Sequence, residues 1–367
     1  MHAQIHEFDV NKNIHADMEY EDSMDYQIER NNIIEVGREL LEKELVARTW
    51  GNISAREDDD NFLITPSGLD YVTMRDSDIV SVNMTSGEWI GDHRPSGERG
   101  IHKAAYQVFK DVNFVVHTHQ ICGTALGLAG FENLEITDEE KEKLGGIALA
   151  AYGLPSSDTL INAVKTSLNT GAHTILMIHH GVMVCGKDRE EAMERTELLE
   201  EICKRNLENT SLADIKDRDI KPDEKTLDDL KKAIKAMEIA DIEAGRIGGQ
   251  VIETVSTKEL ITLAEYEKSV VSQLDDISQM VGVKVKAVKQ DKVLAALRKT
   301  NAVLVKGIGA VVMAADKGDV EALSLLMQKM AIVKLHTLYY KKKATIGFFD
   351  SMGMHSNYVN NYSKQKK

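Results

Sequence analysis

Cysteine and proline are scarce in this sequence, and long apolar runs are missing. The three cysteines among 367 residues, Cys122, Cys185 and Cys203, form no CxxC clip and no disulfide framework. Odd in number, they read as reduced and packed. No apolar stretch is long enough to span a bilayer. The first thirty residues, MHAQIHEFDVNKNIHADMEYEDSMDYQIER, lack the basic start and apolar centre of a secretory signal. Together these absences predict a cytoplasmic protein. Positive charge is also in deficit: 45 Lys and Arg face 59 Asp and Glu, a formal net charge of −14. Such a surface repels a phosphate polymer or an anionic membrane at long range, which excludes nucleic acid and membrane as partners. A small anionic substrate is not excluded, because local loop dipoles decide whether one phosphate binds.

What is present is an ordinary globular mixture, 43% apolar and 28% charged, in a chain long enough for two domains with a core each. Residues 1–30 read as an acidic flexible tail in which His2, His6 and His15 match no metal-site spacing. NNIIEVGRELLEKELV places Ile33, Ile34, Val36, Leu40, Leu41 and Leu45 at helical spacing, predicting a helix over 31–46. Short apolar runs at NFLITP, DIVSVN, NFVVHTH and TILMIHHG, bounded by Gly, Pro, Asp or Asn, predict strands. SGERGIHKAAYQVF predicts a helix opening near Glu98, and MERTELLEEICKRNL a long helix ending near residue 207. The charge-dense stretch 208–250, with the only proline beyond residue 155, Pro222, reads as a helical linker and a domain boundary. Residues 251–367 then form an accessory C-terminal α/β domain. Its segment AVLVKGIGAVV echoes TILMIHHGVMV, pairing Leu176 with Leu304, Gly181 with Gly309 and Val184 with Val312. The match is short enough to fit a degenerate partial repeat or two unrelated strand-turn-helix units. Gly307 and Ile308 replace the two histidines, so the second copy holds no metal ligands and reads as structural.

The sharpest chemical signal is His117-Thr118-His119. Alternate strand residues share a face, so this triplet presents two imidazoles side by side at a spacing suited to one tetrahedral ion. Alone it is weak among 12 histidines. It gains weight from His179-His180-Gly181 at the end of another strand, where one of the two histidines faces the ion and the other hydrogen-bonds or packs. Gly181 allows a turn of unrestricted φ and a close approach. Three His ligands, His117, His119 and one of the pair His179 and His180, leave a fourth position open, the arrangement of a catalytic Zn²⁺. An open site of this kind polarises a carbonyl and spreads enediolate charge. Such chemistry needs a base, and Glu98 in RPSGERGIH is the candidate. The plain alternative is that Glu98 merely favours a helix N-terminus. Three small loops, Gly51-Asn52-Ile53-Ser54, Thr65-Pro66-Ser67-Gly68 and Pro95-Ser96-Gly97, offer N–H groups and polar side chains. Those are the materials of a phosphate cradle without arginine, or of ordinary tight turns.

The strings LVARTWGNISARE, FLITPSGLDY, RPSGE, FVVHTHQ and MIHHGVMVCGKDREEAM resemble, in order and spacing, the class II aldolase and adducin family over residues 31–207. That family includes fuculose-phosphate and rhamnulose-phosphate aldolases and ribulose-phosphate 4-epimerase. The resemblance implies a three-layer α/β/α sandwich around a mainly antiparallel sheet. It implies one Zn²⁺ on His117, His119 and His180, with Glu98 as the acid/base and Asn52, Ser67, Gly68 and Ser96 on the phosphate. Glu at position 98, where the epimerase carries Asp, favours carbon–carbon cleavage. Gly97 departs from the serine of many members and leaves only a backbone N–H for phosphate. FENLEITDEEKEKLGGIALA lacks the tyrosine that fuculose-phosphate aldolases send into a neighbouring subunit's site. Asp138 falls near that position, and Tyr339, Tyr340 and Tyr358 of the added domain are other groups to consider. The resemblance further implies a homo-oligomer, a tetramer, whose interface the added domain could instead mask.

The resulting expectation is a metal-dependent aldehyde-lyase acting on a phosphorylated ketose. The alternatives are an epimerase or dehydratase on the same metal, or a non-catalytic adducin-like interaction protein. The complete set of three histidines with Glu98 argues against the last, because a scaffold gains nothing from an open Lewis-acid site.

Overall fold

Alternating apolar residues in the sheet strands, covered from both sides, set the architecture. The computed structural model describes residues 10–210, 220–243 and 250–360. A first helix, α1 (Val10–Glu42), leads into β1 (Gly51–Arg56), β2 (Asn61–Ile64), β3 (Val80–Asn83) and a short β4 (Trp89–Ile90). Then come α2 (Arg99–Val108), β5 (Phe114–Thr118), α3 (Ile121–Ala129), α4 (Asp138–Lys143), β6 (Ile147–Ala150) and α5 (Asp158–Leu168). β7 (Thr174–Met177), β8 (Gly181–Gly186) and α6 (Arg189–Glu208) complete the first half. Its eight strands pair in the order β4-β3-β2-β1-β5-β8-β7-β6. All neighbours are antiparallel except β6 and β7.

Every residue of β5 is buried, because helices cover both faces of the sheet. Val115 joins Ile101, Ala105, Leu160 and Val164 of α2 and α5 on one side. Phe114 and Val116 join Ile33, Val36 and Leu40 of α1 on the other. This is the three-layer sandwich with a mainly antiparallel sheet that the resemblance implied.

Two local expectations change. The helix expected over 31–46 runs from Val10 to Glu42, so residues 10–30 of the expected flexible tail are helical, and residues 1–9 lie outside the described residues. Gln27 and Arg30 tie this extension down, bonding to Asp76 Oδ2 and to the carbonyl of Ile79. The helix stops earlier than expected because Glu44 turns left-handed (φ 57°), and Leu45 N–H closes onto Leu40 O at 2.9 Å, a C-terminal cap. Gly51-Asn52-Ile53-Ser54 is not a loop but most of β1, paired with β2 and β5. Its ladder takes up backbone groups that a phosphate cradle would have used.

The C-terminal part begins with α7 (Glu224–Glu243), inside the expected linker, whose residues 211–219 and 244–249 lie outside the described residues. It continues with β9 (Val251–Val255), α8 (Lys258–Tyr266), β10 (Ser269–Val271), α9 (Asp275–Met280), β11 (Lys284–Val288) and α10 (Val293–Leu297). β12 (Ala302–Val305), β13 (Gly309–Ala314), α11 (Lys317–Tyr339) and α12 (Phe348–Asn360) end it. The sheet order is β10-β11-β12-β13-β9. The run β9-β13-β12-β11 reproduces β5-β8-β7-β6, with the same antiparallel, antiparallel, parallel pairing. Register agrees as well: Met177 faces Gly181 as Val305 faces Gly309. Asp188 and Asp316 each cap the following long helix through the side chain. The short sequence echo therefore belongs to a shared topology. Ile308, fully buried, fills the place that His180 holds in the first half.

Each half keeps apolar clusters of its own, and a further one is common to both. Leu126, Leu199 and Ile202 of the first half share one apolar cluster with Leu260, Leu323, Leu326 and Met330 of the second. α3 lies between α6 and α11, which explains why ICGTALGLA is apolar nearly all round: seven of its residues are buried. Among the described residues no helix is long and apolar enough to cross a membrane.

Candidate metal centre

Four side chains from three separated stretches meet at one point. His117 lies in β5 and His119 one residue past its end, so the two share a face. His180 comes from the turn between β7 and β8, and Glu98 stands at the entry to α2 without capping it. The turn works because His179 adopts φ 68°, so the left-handed residue is His179 and not Gly181. Gly181 answers a different need. A Cβ there would lie 2.3 Å from Thr118 O and 3.1–3.2 Å from the rings of His119 and His117, so only glycine lets β8 close against the histidine pair.

His117 Nε2 stands 3.2 Å from Nε2 of both His119 and His180. Glu98 Oε1 is 2.8 Å from His180 Nε2, and Oε2 is 3.1 Å from His117 Nε2. A tetrahedron with bonds of about 2.0–2.1 Å has edges of roughly 3.3 Å, so these separations are those of ligands around one ion. The opposite nitrogens point away. His117 Nδ1–H donates to Val182 O at 2.7 Å, and His180 Nδ1–H to Asp275 Oδ2 at 2.9 Å. When His180 is neutral, its one ring proton lies on Nδ1 toward Asp275, Nε2 has none for Glu98 Oε1, and that buried oxygen lacks a donor. Lone pairs and a carboxylate converging in a buried place repel one another unless a cation fills the gap. The donor set fits a divalent metal ion, and the cluster could hold one.

Electrostatics point the same way. Burial opposes the charge of Glu98, but the imidazoles of His180 and His117 outweigh it and hold the carboxyl well below its usual range. Burial alone would lower His180, yet Glu98 and Asp275 raise it to about 10. Burial pushes His119 down to about 3. A proton and a metal ion thus compete for the same point beside His180.

A polar chain buttresses Glu98 from behind. Asn52 Nδ2–H donates to Glu98 Oε2 at 3.2 Å, which leaves Asn52 Oδ1 to accept from His102 Nε2–H. His102 Nδ1 must then accept from Ser54 O–H at 2.6 Å, and Ser54 Oγ from Tyr106 O–H at 2.7 Å, so each donor and acceptor has one consistent assignment. Burial, with His117 nearby, pushes His102 down to about 3 and keeps it neutral.

An open cleft of about 1400 Å³ reaches the cluster. Glu98, His119 and His180 line it, together with Asn52, Ser67, Gly68, Ser96 and Gly97. Asn52 spends both ends of its amide on Glu98 and His102, and Ser96 Oγ accepts the N–H of Glu98. Ser67 and Ser96 N–H are taken by Arg94 O and Thr65 O, which zips the two loops together. Arg94, Arg99, Lys103 and Lys165 also line the cleft, cationic side chains that lie outside the three loops named from sequence. Of the three tyrosines considered, Tyr358 lines the cleft and Tyr339 and Tyr340 do not. Asp138 is exposed in the first turn of α4 and is not among the lining residues.

Sequence reasoning gave Ser54 to a phosphate loop and missed His102, Tyr106, Asp275, Asp276 and Lys329. His102 and Tyr106 sit one turn apart on the helix that follows Glu98, and Ser54 shares a strand face with Asn52. Those signals become readable only once Gly51–Arg56 is seen as a strand. Asp275, Asp276 and Lys329 carry no local signal.

Residues 31–207 match the family described as Class II Aldolase and Adducin N-terminal domain. Among solved structures, YgbL from Klebsiella pneumoniae is 27% identical, with 49% of this chain and 88% of that chain covered and a TM-score of 0.45. An L-fuculose 1-phosphate aldolase is 25% identical over 54% of this chain and 92% of that chain, with a TM-score of 0.46. A sugar-phosphate aldolase from Thermotoga maritima is 26% identical over 48% and 94%, with a TM-score of 0.42. The match to the class II aldolase and adducin family covers the region that carries all four side chains of the cluster, residues 31–207.

Proposed function

We propose that residues 31–207 form a Zn²⁺-dependent lyase of the class II aldolase type, which splits a phosphorylated ketose by way of an enediolate. The observation that carries this reading is the convergence of three imidazole Nε2 atoms and the Glu98 carboxylate on one point that opens to a cleft lined with cationic side chains. His117, His119 and His180 would hold one Zn²⁺. Zinc, when bound, supplies a Lewis acid for the ketose carbonyl and for the charge of the enediolate.

The remaining work falls to the chain itself. Glu98 takes the proton of the hydroxyl β to the carbonyl, the carbon–carbon bond breaks to leave the aldehyde and the enediolate, and Glu98 returns that proton to the enediolate carbon; Asn52 pins its Oε2, and Oε1 faces His180 Nε2. Ionisation of Glu98, favoured by the neighbouring imidazoles, keeps it ready as a base. Ser67, Gly68, Ser96 and Gly97, with Arg94, Arg99, Lys103 and Lys165 nearby, hold the phosphate through N–H, hydroxyl and cationic groups. The same reading carries a cytoplasmic homo-oligomer, a tetramer.

Metal analysis followed by a screen of phosphorylated ketoses for aldehyde release tests it. Glu98→Gln should lower turnover by roughly 10²- to 10⁴-fold with zinc still bound, and unchanged turnover removes Glu98 from the reaction. Product analysis separates a lyase, which makes two carbon fragments, from an epimerase or dehydratase, which makes one. Absence of stoichiometric metal would favour a non-catalytic interaction protein.

A further inference from the structure

Among the described residues, the C-terminal half gives no ligand atom to the cluster, yet it provides the groups behind two of the three histidines. Asp275 and Asp276 are consecutive at the start of α9. The backbone there is zipped to the histidine turn: Asp275 N–H donates to His179 O at 2.9 Å, and His179 Nδ1–H donates to Gln273 O at 2.7 Å. With the turn so fixed, His180 Nδ1–H meets Asp275 Oδ2 at 2.9 Å. Asp276 Oδ2 accepts from Lys329 Nζ at 2.9 Å and stands 3.6 Å from His119 Nδ1, a charge contact longer than a hydrogen bond to a buried nitrogen that has no hydrogen-bond partner. Lys329 Nζ also donates to the carbonyl of His119 at 2.9 Å. Only His117 finds its Nδ1 acceptor, Val182 O, within its own half.

These charges are costly where they stand. Asp275, Asp276 and Lys329 are 0%, 2% and 2% exposed, and buried ion pairs seldom stabilise more than apolar side chains of the same size. Docking two halves that already share a large apolar core does not require them. What they do accomplish is geometric. The Asp275 acceptor at His180 Nδ1 fixes the ring proton there and leaves the Nε2 lone pair aimed at the common point, and the Asp276 carboxylate draws the His119 ring proton to the same side.

We infer that Asp275 and Asp276 are positioning residues for His180 and His119, so that the C-terminal half completes the metal centre of the first half from outside its ligand set. Lys329 fixes Asp276 and the His119 backbone together. The inference rests on the proposed metal site and deepens it: the added half is part of the site's construction, and neither half alone orients all three imidazoles.

The test uses the full chain and zinc alone. Zn²⁺ affinity is measured by competition with a chromophoric chelator for the wild type, Asp275→Asn, Asp276→Asn and a surface control, Glu140→Gln, with the fold of each metal-free variant checked by circular dichroism. Each aspartate variant should bind zinc on the order of 10- to 100-fold more weakly, with a shifted absorption band of the Co²⁺-loaded form, while the control matches the wild type. Should a variant fail to fold, ¹⁵N spectra of the histidine rings in zinc-loaded wild type decide the matter, and His180 and His119 should carry their protons on Nδ1. Wild-type affinity with an unchanged Co²⁺ band in both variants, or a proton on Nε2 of either ring, overturns the inference and leaves the metal site standing. A wild type that takes up no zinc overturns the metal-site reading and the inference with it.

Discussion

His102 should make this protein acid-sensitive in a way that can be isolated. Its ring is fully buried, donates from Nε2 to Asn52 and accepts at Nδ1 from Ser54. A second ring proton would point at Ser54 Oγ, which already faces Tyr106 O–H, so the hydroxyl would have to turn away and find another acceptor in a fully buried place. Burial accordingly pushes His102 down to about 3 from an ordinary 6.5. The unfolded chain takes up this proton below 6.5 and the folded chain does not until about 3, so the unfolded state binds more protons throughout that window and stability falls as the pH falls. The slope is about 1.4 kcal/mol per pH unit, which gives about 2 kcal/mol lost between pH 6.5 and 5. The assay is urea unfolding with chelator present, comparing wild type and His102→Gln at about pH 7.5 and about pH 5. Gln keeps a donor and an acceptor but cannot titrate. Its deficit relative to wild type should shrink by about 2 kcal/mol at the lower pH. A deficit that is the same at both values would refute the argument that His102 is held neutral.

Two further perturbations follow from the same geometry. Gly181→Ala sets a methyl against a backbone oxygen that cannot yield, so it should cost roughly 1–3 kcal/mol in thermal unfolding and weaken zinc in chelator competition; full retention of metal affinity would refute the close-approach argument. Lys329→Met leaves Asp276 buried without its cation and should cost roughly 3–5 kcal/mol, measured by urea unfolding above pH 6. Because Lys329 and His119 hold the Asp276 carboxyl below its usual range against the cost of burial, its contribution is present at neutral pH and lost as pH falls. A loss independent of pH would mean the lysine acts through packing alone.

Much of the centre was legible in one dimension because its ligands obey local rules. Strand period two puts His117 and His119 on one face, a strand end with glycine marks His180, and a helix start marks Glu98. Those rules depend only on backbone geometry within a few residues. Local composition also misled. Gly51-Asn52-Ile53-Ser54 has the make-up of a turn, yet it is a strand because β2 and β5 flank it, and nothing inside the four residues says so. The same holds for the left-handed residue of the histidine turn, which is His179 rather than its glycine neighbour.

The sequence by itself carried the candidate histidines, the candidate base and the loss of both histidines from the second copy through residue types at fixed short spacing, and the sandwich through its resemblance to a family. Tertiary structure alone decided what stands behind those ligands. His180 meets Asp275 across 95 positions of chain, and Lys329 reaches His119 across 210. Contacts of that span are set by how two sheets share one apolar core, and an aspartate or lysine destined for such a contact looks, in sequence, like any other on a charged helix.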